Sequence, residues 1–577
     1  MSSIVEQGRA APTRRQPNIR KIVYWAFVGL LSLILLAPLG AILAGSFLIP
    51  ERGTGLETFG IQAWLHAWEK PGLVRAIGNT IGLALTGQVI ALPLSVLIAW
   101  LLGRTDIPGA RWLELGFWIS FFLPVLAVLQ GWLLLIDPQY GLLNQLLASL
   151  FGDAAPRLNI YSWWGIVFAH LVTNTISAKV MLLTPVFQNL DSRLDEAAQL
   201  AGDSPLATLW RITLPMTLPI VIAAMMIGVI RTMESFEIEL VLGIPQNIVV
   251  YSTMIYDIIG DDPPDFATAN VLGVVIILFL AALALAPSRY SNNAGLSEER
   301  FVTLSSHSRR TPIRLGRWRW PLFAVIVLVV MLLTVIPVAF LAASSVMTLF
   351  GFFSLPEPWT LAHWKQIFGD RVFLASFRNT MELAFTAAIL SVSLGTAVAY
   401  AIVRSPFGGK RLLDFLSWLP STTPGILFSL AILWIILSSN ALTTIYGSTF
   451  SLAFVVALGS LTFSVQILKS GIAQIGADME EAAWLAGSSR WRGIVTVVAP
   501  LAMRAIAVVA VVAFVAAIRN IGSLALLVTS ANRPLALLQL EFLSQGRYEP
   551  SAVVGVIVVA ISIVAALVIR HLSAPRH

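Results

Sequence analysis

Asp195-Glu196-Ala197-Ala198-Gln199-Leu200-Ala201-Gly202, followed by Leu214-Pro215, recurs 285 residues later as Glu480-Glu481-Ala482-Ala483-Trp484-Leu485-Ala486-Gly487, followed by Ala499-Pro500. Each copy is a polar stretch between two long apolar ones. The alanines and the acid favour a short helix, and Gly202 or Gly487 ends it in a left-handed cap. Ser204-Pro205 suits the start of a second short helix, because proline is tolerated in a first turn. Pro215 then opens the next apolar segment, and the second copy follows the same logic with Gly487, Ser488 and Pro500. Such a helix–Gly–helix, present twice, predicts a docking surface for a soluble partner. The small alanines (Ala197, Ala198, Ala482, Ala483) admit a partner's backbone, and Glu196 and Glu481 offer charges to its basic side chains.

Outward from these motifs the chain is apolar. Of its 577 residues, 57% are hydrophobic and 12% charged, and the mean hydropathy is +0.83. A soluble domain carries about twice that charge fraction. Runs of roughly 20 apolar residues span a bilayer. Twelve are expected, near 22–46, 76–102, 113–136, 163–187, 213–242 and 270–287, then 321–346, 376–403, 412–437, 450–470, 498–528 and 552–570. The runs are continuous rather than alternating, which favours a helical bundle over a barrel. The fold expected is therefore all-α and integral to the membrane, with room for one more short helix within 136–162. The first apolar run is too long for a cleaved signal and reads as a retained helix. With no cysteine in the chain, disulfides, thiolate clusters and cysteine nucleophiles are excluded.

The duplication extends beyond the two motifs. Asn79-Thr80 recurs as Asn379-Thr380, Arg104 as Arg404, Glu114 as Asp414 and Pro124 as Pro424, all 300 residues apart. The offset then falls to 285, so the first half carries about 15 extra residues, placed in the loop around 137–162. Six spans per half give both halves the same entry side, making them parallel repeats with any pathway between them. The divisions expected are an N-terminal tail 1–21, a first half 22–287 with its loop near 191–215, a basic connector 288–320, and a second half 321–577 with its loop near 476–500. The connector, rich in Ser, Asn and Arg, reads as a flexible tether, and its arginines are suited to anionic lipid headgroups.

Charge sets the orientation. Arg14, Arg15, Arg20 and Lys21 precede the first span, and Arg309, Arg310, Arg314, Arg317 and Arg319 crowd the connector. Asp257, Asp261, Asp262 and Asp265 lie on the other side. The positive-inside rule puts both termini in the cytoplasm. The basic runs hug span ends, so nucleic acid is not an expected partner.

The paired Glu-Ala-Ala…Gly motifs, each followed by a hydrophobic residue and proline, resemble the signature loop of binding-protein-dependent ABC importer permeases. The resemblance covers about Trp25 to Ile569, and a fused double permease of this size resembles the ferric-iron type, with thiamine, polyamine and aminoalkylphosphonate importers close by. It implies a type I permease fold in a bacterial inner membrane, with two loops that act as coupling helices on an ATPase homodimer. Those loops bring Glu196, Ala197, Ala198, Gly202 and Pro215, and Glu481, Ala482, Ala483, Gly487 and Pro500, to the ATPase. It also implies a periplasmic substrate-binding protein, alternating access, and no catalytic or metal site in this chain. ATP and Mg2+ would belong to the partner, since the sequence has no Gly-x-x-x-x-Gly-Lys-Ser/Thr loop. Ala499-Pro500 departs from the usual Leu-Pro. A twelve-span secondary transporter is the rival class, but it has no use for paired docking loops. A membrane enzyme would need a cluster of catalytic side chains that the sequence lacks.

Ionisable residues inside a membrane are costly, roughly 2.5–3.5 kcal/mol each on insertion scales, and point to function. The densest set is Arg231, Glu234, Glu237 and Glu239 in the fifth expected span, opposite Arg519 and Asn520 in the eleventh. Arg231, Glu234 and Glu237 share a helical face, Glu239 points elsewhere, and Glu234 is expected to face Arg519 across the pseudo-twofold axis. They read as a carboxylate-lined gate or as a structural ion pair joining the halves. His170, Asn174 and Ser177 share a face in the fourth span, as pathway lining or as interhelical hydrogen bonding. His170, His66 and His363 lack a second ligand at metal-binding spacing.

Overall fold

The computed structural model describes residues 19–50, 57–293, 312–405 and 408–573. Among them are eight continuous apolar helices long enough to cross a membrane and four bent pairs, up to 12 spans in all. The first six are Lys21–Gly45, Leu73–Arg104, Ala110–Phe122 with Val125–Ile136, Trp163–Gln188, Pro205–Met233 and Phe266–Leu283. The second six are Gly316–Ser345, Arg371–Arg404, Lys410–Ser421 with Gly425–Leu437, Thr449–Gly459 with Leu461–Ala473, Ile494–Leu501 with Met503–Arg519, and Tyr548–Leu572. The β-structure among the described residues is one small antiparallel ribbon, Leu48–Pro50 with Glu57–Phe59, and two isolated bridges.

The repeat is physical as well as textual. A proline disfavours the helical conformation in the residue before it. Leu123 (ψ 139°) and Thr423 (ψ 119°) are accordingly extended, ahead of Pro124 and Pro424. The third and ninth spans bend there by 101° and 105°. The Asn-Thr pairs also do one job twice. Asn79 Nδ2 donates to Val249 O (2.8 Å), and Tyr251 N–H donates to Thr80 Oγ1 (2.9 Å). Asn379 Nδ2 donates to Ala531 O (2.9 Å), and Leu535 N–H to Thr380 Oγ1 (2.8 Å). Each pair pins the loop after its half's fifth span and caps the next short helix, Tyr251–Gly260 or Leu535–Ser544. The halves differ in the segment after the bent span. Residues 137–162 hold an additional helix, Leu142–Phe151, where 438–448 hold only one short turn.

Each half lends its first span to the other. Val28, Leu31 and Leu35 are buried with Ile432, Leu433 and Ile436 of the ninth span. Leu333 and Leu341 of the seventh are buried with Ala127 and Leu134 of the third. Gly131 makes the second crossing possible, since a Cβ there would sit 2.0 Å from Pro337 O. Next to it, Gln130 Nε2 donates to Tyr548 O (2.7 Å), while Gln539 Nε2 and Ser551 Oγ donate to Gln130 Oε1 (both 3.1 Å). Gly131→Ala is expected to cost about 1–3 kcal/mol, as overpacking against backbone does, and to lower the unfolding temperature of the detergent-solubilised chain. An unchanged transition would refute the close crossing.

Two expected boundaries move. The fifth span ends at Met233 rather than near 242, and the eleventh at Arg519 rather than near 528. Polar residues follow each end, and the backbone there leaves the helix before resuming with Glu239–Gly243 or turning at 522–527. The connector is also shorter than expected. The sixth-span helix continues to Asn293, and Ile313 is bridged to Thr105. Arg300, Arg309 and Arg310, like the tail arginines Arg14 and Arg15, lie outside the described residues.

Candidate functional site: the paired loops and the span breaks

The first loop consists of the helix Ser192–Leu200, Gly202, and the short helix Pro205–Thr208. The second consists of Ala477–Leu485, Gly487, and Arg490–Gly493. Gly202 (φ +92°) and Gly487 (φ +87°) adopt the left-handed conformation that the motif requires. Ser204 Oγ accepts from Ala207 N–H (3.3 Å), and Ser489 Oγ from Arg492 N–H (3.2 Å). The cap in the second copy is thus Ser489, one residue beyond Ser488 and in register with Ser204. Ahead of Pro215 and Pro500, which have no N–H to give to an earlier carbonyl, the helix widens into matched π turns, Leu209–Thr213 and Ile494–Val498.

Within each motif the two adjacent acids point opposite ways. Asp195 and Glu480 are buried, whereas Glu196 and Glu481 are exposed. Each buried acid meets the arginine that ends its half's second span. Arg104 pairs with Asp195 and donates to Leu190 O (2.8 Å) and Asp191 O (3.4 Å). Arg404 Nε lies 2.7 Å from Glu480 Oε1, its guanidinium also donates to Ile475 O, and Tyr400 Oη donates to Glu480 Oε2 (2.8 Å). The loops are therefore bolted to helices Leu73–Arg104 and Arg371–Arg404 by equivalent buried ion pairs. Sequence reading paired Arg104 with Arg404 and aligned Asp195 with Glu480 without joining the sets, because the partners are 91 and 76 residues apart.

The same helical phase places the expected docking residues. Ala198 lies on the buried side with Asp195, and Ala483 is half-buried. The outward face is formed by Glu196, Ala197 and Leu200, and by Glu481, Ala482 and Leu485. Leu200 and Leu485 occupy matching positions, one turn beyond the exposed glutamates, and both are 90% exposed.

The breaks after spans five and eleven face each other. A Cβ on Gly522 would lie 4.0 Å from Phe236 Cβ. Glu237 meets the backbone N–H groups of Ile521 and Gly522 and is within electrostatic reach of Arg519. Arg519 Nη1 donates to Phe121 O (2.8 Å), with its guanidinium 5.6 Å from the Phe121 ring. Arg519 is thus linked to Glu237, not to Glu234 as expected, because the helix has already ended at Met233. Glu234 lies 3.6 Å from Arg231, and its Oε1 is buried without a hydrogen-bond partner among the described residues. Asn520 Oδ1 accepts from Ser523 N–H (3.0 Å). Glu239 turns away to His170 Nε2 (2.7 Å) and accepts from Ser235 Oγ (2.7 Å). A π turn at Leu171–Thr175 changes the phase expected of Asn174, which is half-buried there. His170 and Ser177 instead make interhelical bonds, the latter to Ser120 (2.7 Å). Irregular backbone at membrane depth persists only where protein or a cavity covers it.

Residues 391–576 match the family described as "Binding-protein-dependent transport system inner membrane component". The match lies within the second half of the chain. The first half repeats the second, down to its bends, caps and ion pairs. Two relatives cover both halves. The "Putative ferric transport system permease protein FbpB 1" of Haemophilus influenzae is 24% identical over 85% of this chain and 76% of its own length. The "Ferric transport system permease protein FbpB" of Actinobacillus pleuropneumoniae is 23% identical over 88% and 72%. The chain also resembles a solved bacterial ABC transporter "involved in the import of the acidic polysaccharide alginate", at 16% identity, 44% of this chain, 94% of that one and a TM-score of 0.36. The matched family and both relatives are membrane permease components of transport systems.

Proposed function

We propose that this permease imports ferric iron delivered by a periplasmic binding protein, driven by two copies of a separate ATPase seated on the two loops. Both termini are cytoplasmic in this reading, on the loop side. The observation that carries the docking is the equivalence of the mounts: two loops, each held from beneath by a buried ion pair, each presenting one leucine outward. Movement of the loops with an ATP-driven partner passes through Arg104 and Arg404 into the second and eighth spans, and the halves rock about the paired breaks. ATP and Mg2+ act in the partner.

The ferric reading is supported by the names of the two relatives that cover both halves and by Glu234 and Glu237 at the breaks. The exposed Asp257, Asp261 and Asp262 lie at the opposite end from the loops. In this reading iron passes these carboxylates as cargo. An anionic cargo is the second reading, favoured by Arg231 and Arg519 at the same place. Thiamine, a polyamine and an aminoalkylphosphonate keep the architecture and change the cargo. The test is uptake into proteoliposomes carrying permease, ATPase and binding protein, with labelled ferric iron set against molybdate, sulfate, thiamine and a polyamine. ATP-dependent uptake of iron alone supports the assignment, and uptake of any other cargo replaces it. Glu237→Gln is expected to lower the uptake rate about tenfold at unchanged assembly. Full uptake with a lowered unfolding temperature would make Glu237 a structural group.

A further inference from the structure

The segment 137–162, longer than its counterpart in the second half, closes on itself through Asn144. This side chain is buried. Its Nδ2 donates to Asp137 O (2.9 Å) and Leu158 O (2.8 Å), and its Oδ1 accepts from Leu158 N–H (2.8 Å). Gly165 lets the returning chain lie against the fourth span, since a Cβ there would sit 2.0 Å from Ile160 O. An open cavity of about 450 Å³ remains beside this contact. Its apolar walls include Ile136, which ends the third span, and Trp164 and Phe168, which lie in the first turns of the fourth. These are the span ends remote from the paired loops. Arg157 and Leu158 also line the cavity, and both are exposed. Next to it, helix Leu142–Phe151 turns Leu146, Leu150 and Phe151 outward.

An apolar slot with a cation at its mouth, at the level where spans begin and end, fits an amphiphile. Tryptophan at a span end sits at the headgroup level, and Trp164 is 66% exposed there. A short helix with apolar side chains outward lies along the same boundary. A guanidinium pairs with phosphate through two parallel hydrogen bonds. We propose that this cavity binds one anionic glycerophospholipid, with its phosphate on Arg157 and an acyl chain against Ile136, Trp164 and Phe168. In the orientation proposed above the lipid belongs to the outer leaflet, but the site itself requires neither the ATPase nor a cargo. The segment that holds it also reaches the other half. Gln145 Nε2 donates to Gly351 O (2.7 Å), and the Tyr140 ring lies 5.5 Å from that of Phe352. The bound lipid therefore fastens the junction of the two halves at this end of the bundle.

The test is native mass spectrometry of the purified full-length protein, delipidated in detergent and titrated with phosphatidylglycerol or phosphatidylethanolamine. The parent chain should retain one phosphatidylglycerol about fivefold more tightly than phosphatidylethanolamine, the preference that one basic residue gives an anionic lipid. Arg157→Gln should erase that preference, Arg157→Lys should keep most of it, and Trp164→Ala should weaken both lipids. Each variant replaces an exposed side chain and should unfold at the parent temperature without lipid. Phosphatidylglycerol should raise the unfolding temperature of the parent by a few degrees and leave Arg157→Gln unmoved, as ligand linkage requires. A phosphatidylglycerol with a photoreactive tail should label residues 157–168. Equal retention of phosphatidylglycerol by the parent and Arg157→Gln, or labelling confined to other spans, overturns the site. Inorganic phosphate bound without lipid, with the same dependence on Arg157, would assign the cavity to a soluble anion and overturn the lipid.

Discussion

Leu200→Asp combined with Leu485→Asp is expected to abolish retention of the ATPase, while the permease itself inserts and unfolds at its normal temperature. Both leucines are 90% exposed at the tips of the loops, so neither contributes to the internal core. Burying a leucine side chain contributes about 1.5–3 kcal/mol, and two of them roughly 3–6. At about 1.4 kcal/mol per tenfold, affinity should fall by about two to four orders of magnitude before the cost of burying two carboxylates is counted. Each single substitution should weaken binding by part of that, since the sites are distant and their effects nearly additive. The charge reversal Glu196→Lys with Glu481→Lys acts on the same face and should also release the ATPase. Co-purification and binding-protein-stimulated ATP hydrolysis are the readouts. Wild-type retention of the ATPase by the double aspartate variant would remove these loops from the interface.

Arg104→Ala and Arg404→Ala are expected to be the most damaging substitutions away from any partner surface. Each leaves a buried carboxylate, Asp195 or Glu480, without its cation. Removing one member of a buried pair costs about 3–5 kcal/mol, whereas replacing both by apolar residues of similar volume is often neutral. Arg104→Ala should therefore release residues 191–202 from the end of the second span and reduce transport at least tenfold. Arg104→Met together with Asp195→Leu should recover most of the loop's order. Arg404→Ala should be somewhat milder at the carboxylate, because Tyr400 still donates to Glu480. Protease accessibility of the two loops and transport by reconstituted vesicles measure these effects. Equal damage from Arg104→Ala and from the double apolar variant would mean that the arginine acts through its backbone-carbonyl bonds rather than through Asp195.

Much of the architecture was readable because it is written in backbone chemistry. Gly202 and Gly487 mark left-handed caps, and the Asn-Thr pairs and Pro124 with Pro424 recur at matched positions of the repeat. The long apolar runs located the spans. The site was readable in part. The loops were found, but which of two adjacent acids faces inward depends on helical phase against a distant arginine, and a short motif does not carry that. The end of the fifth span was missed because the run from Arg231 to Leu240 holds no proline or glycine. Its break comes from tertiary contact with the matching break near Gly522. The crossing of the seventh span on the third depends on the approach of Gly131 to Pro337, and a lone glycine in an apolar helix does not announce its partner. The connector bridge rests on Ile313, in a stretch too short for any periodicity.

The central claim is that two equivalent loops seat two ATPase subunits, and the absence of cysteine allows a direct measurement. Leu200→Cys and Leu485→Cys, introduced singly and together, are crosslinked to the co-expressed ATPase and the products weighed. The account predicts one ATPase subunit attached through each single cysteine and two through the pair, with both links sensitive to ATP. Crosslinks from only one loop, or from neither while a cysteine at the opposite end of the bundle captures the ATPase, would contradict it.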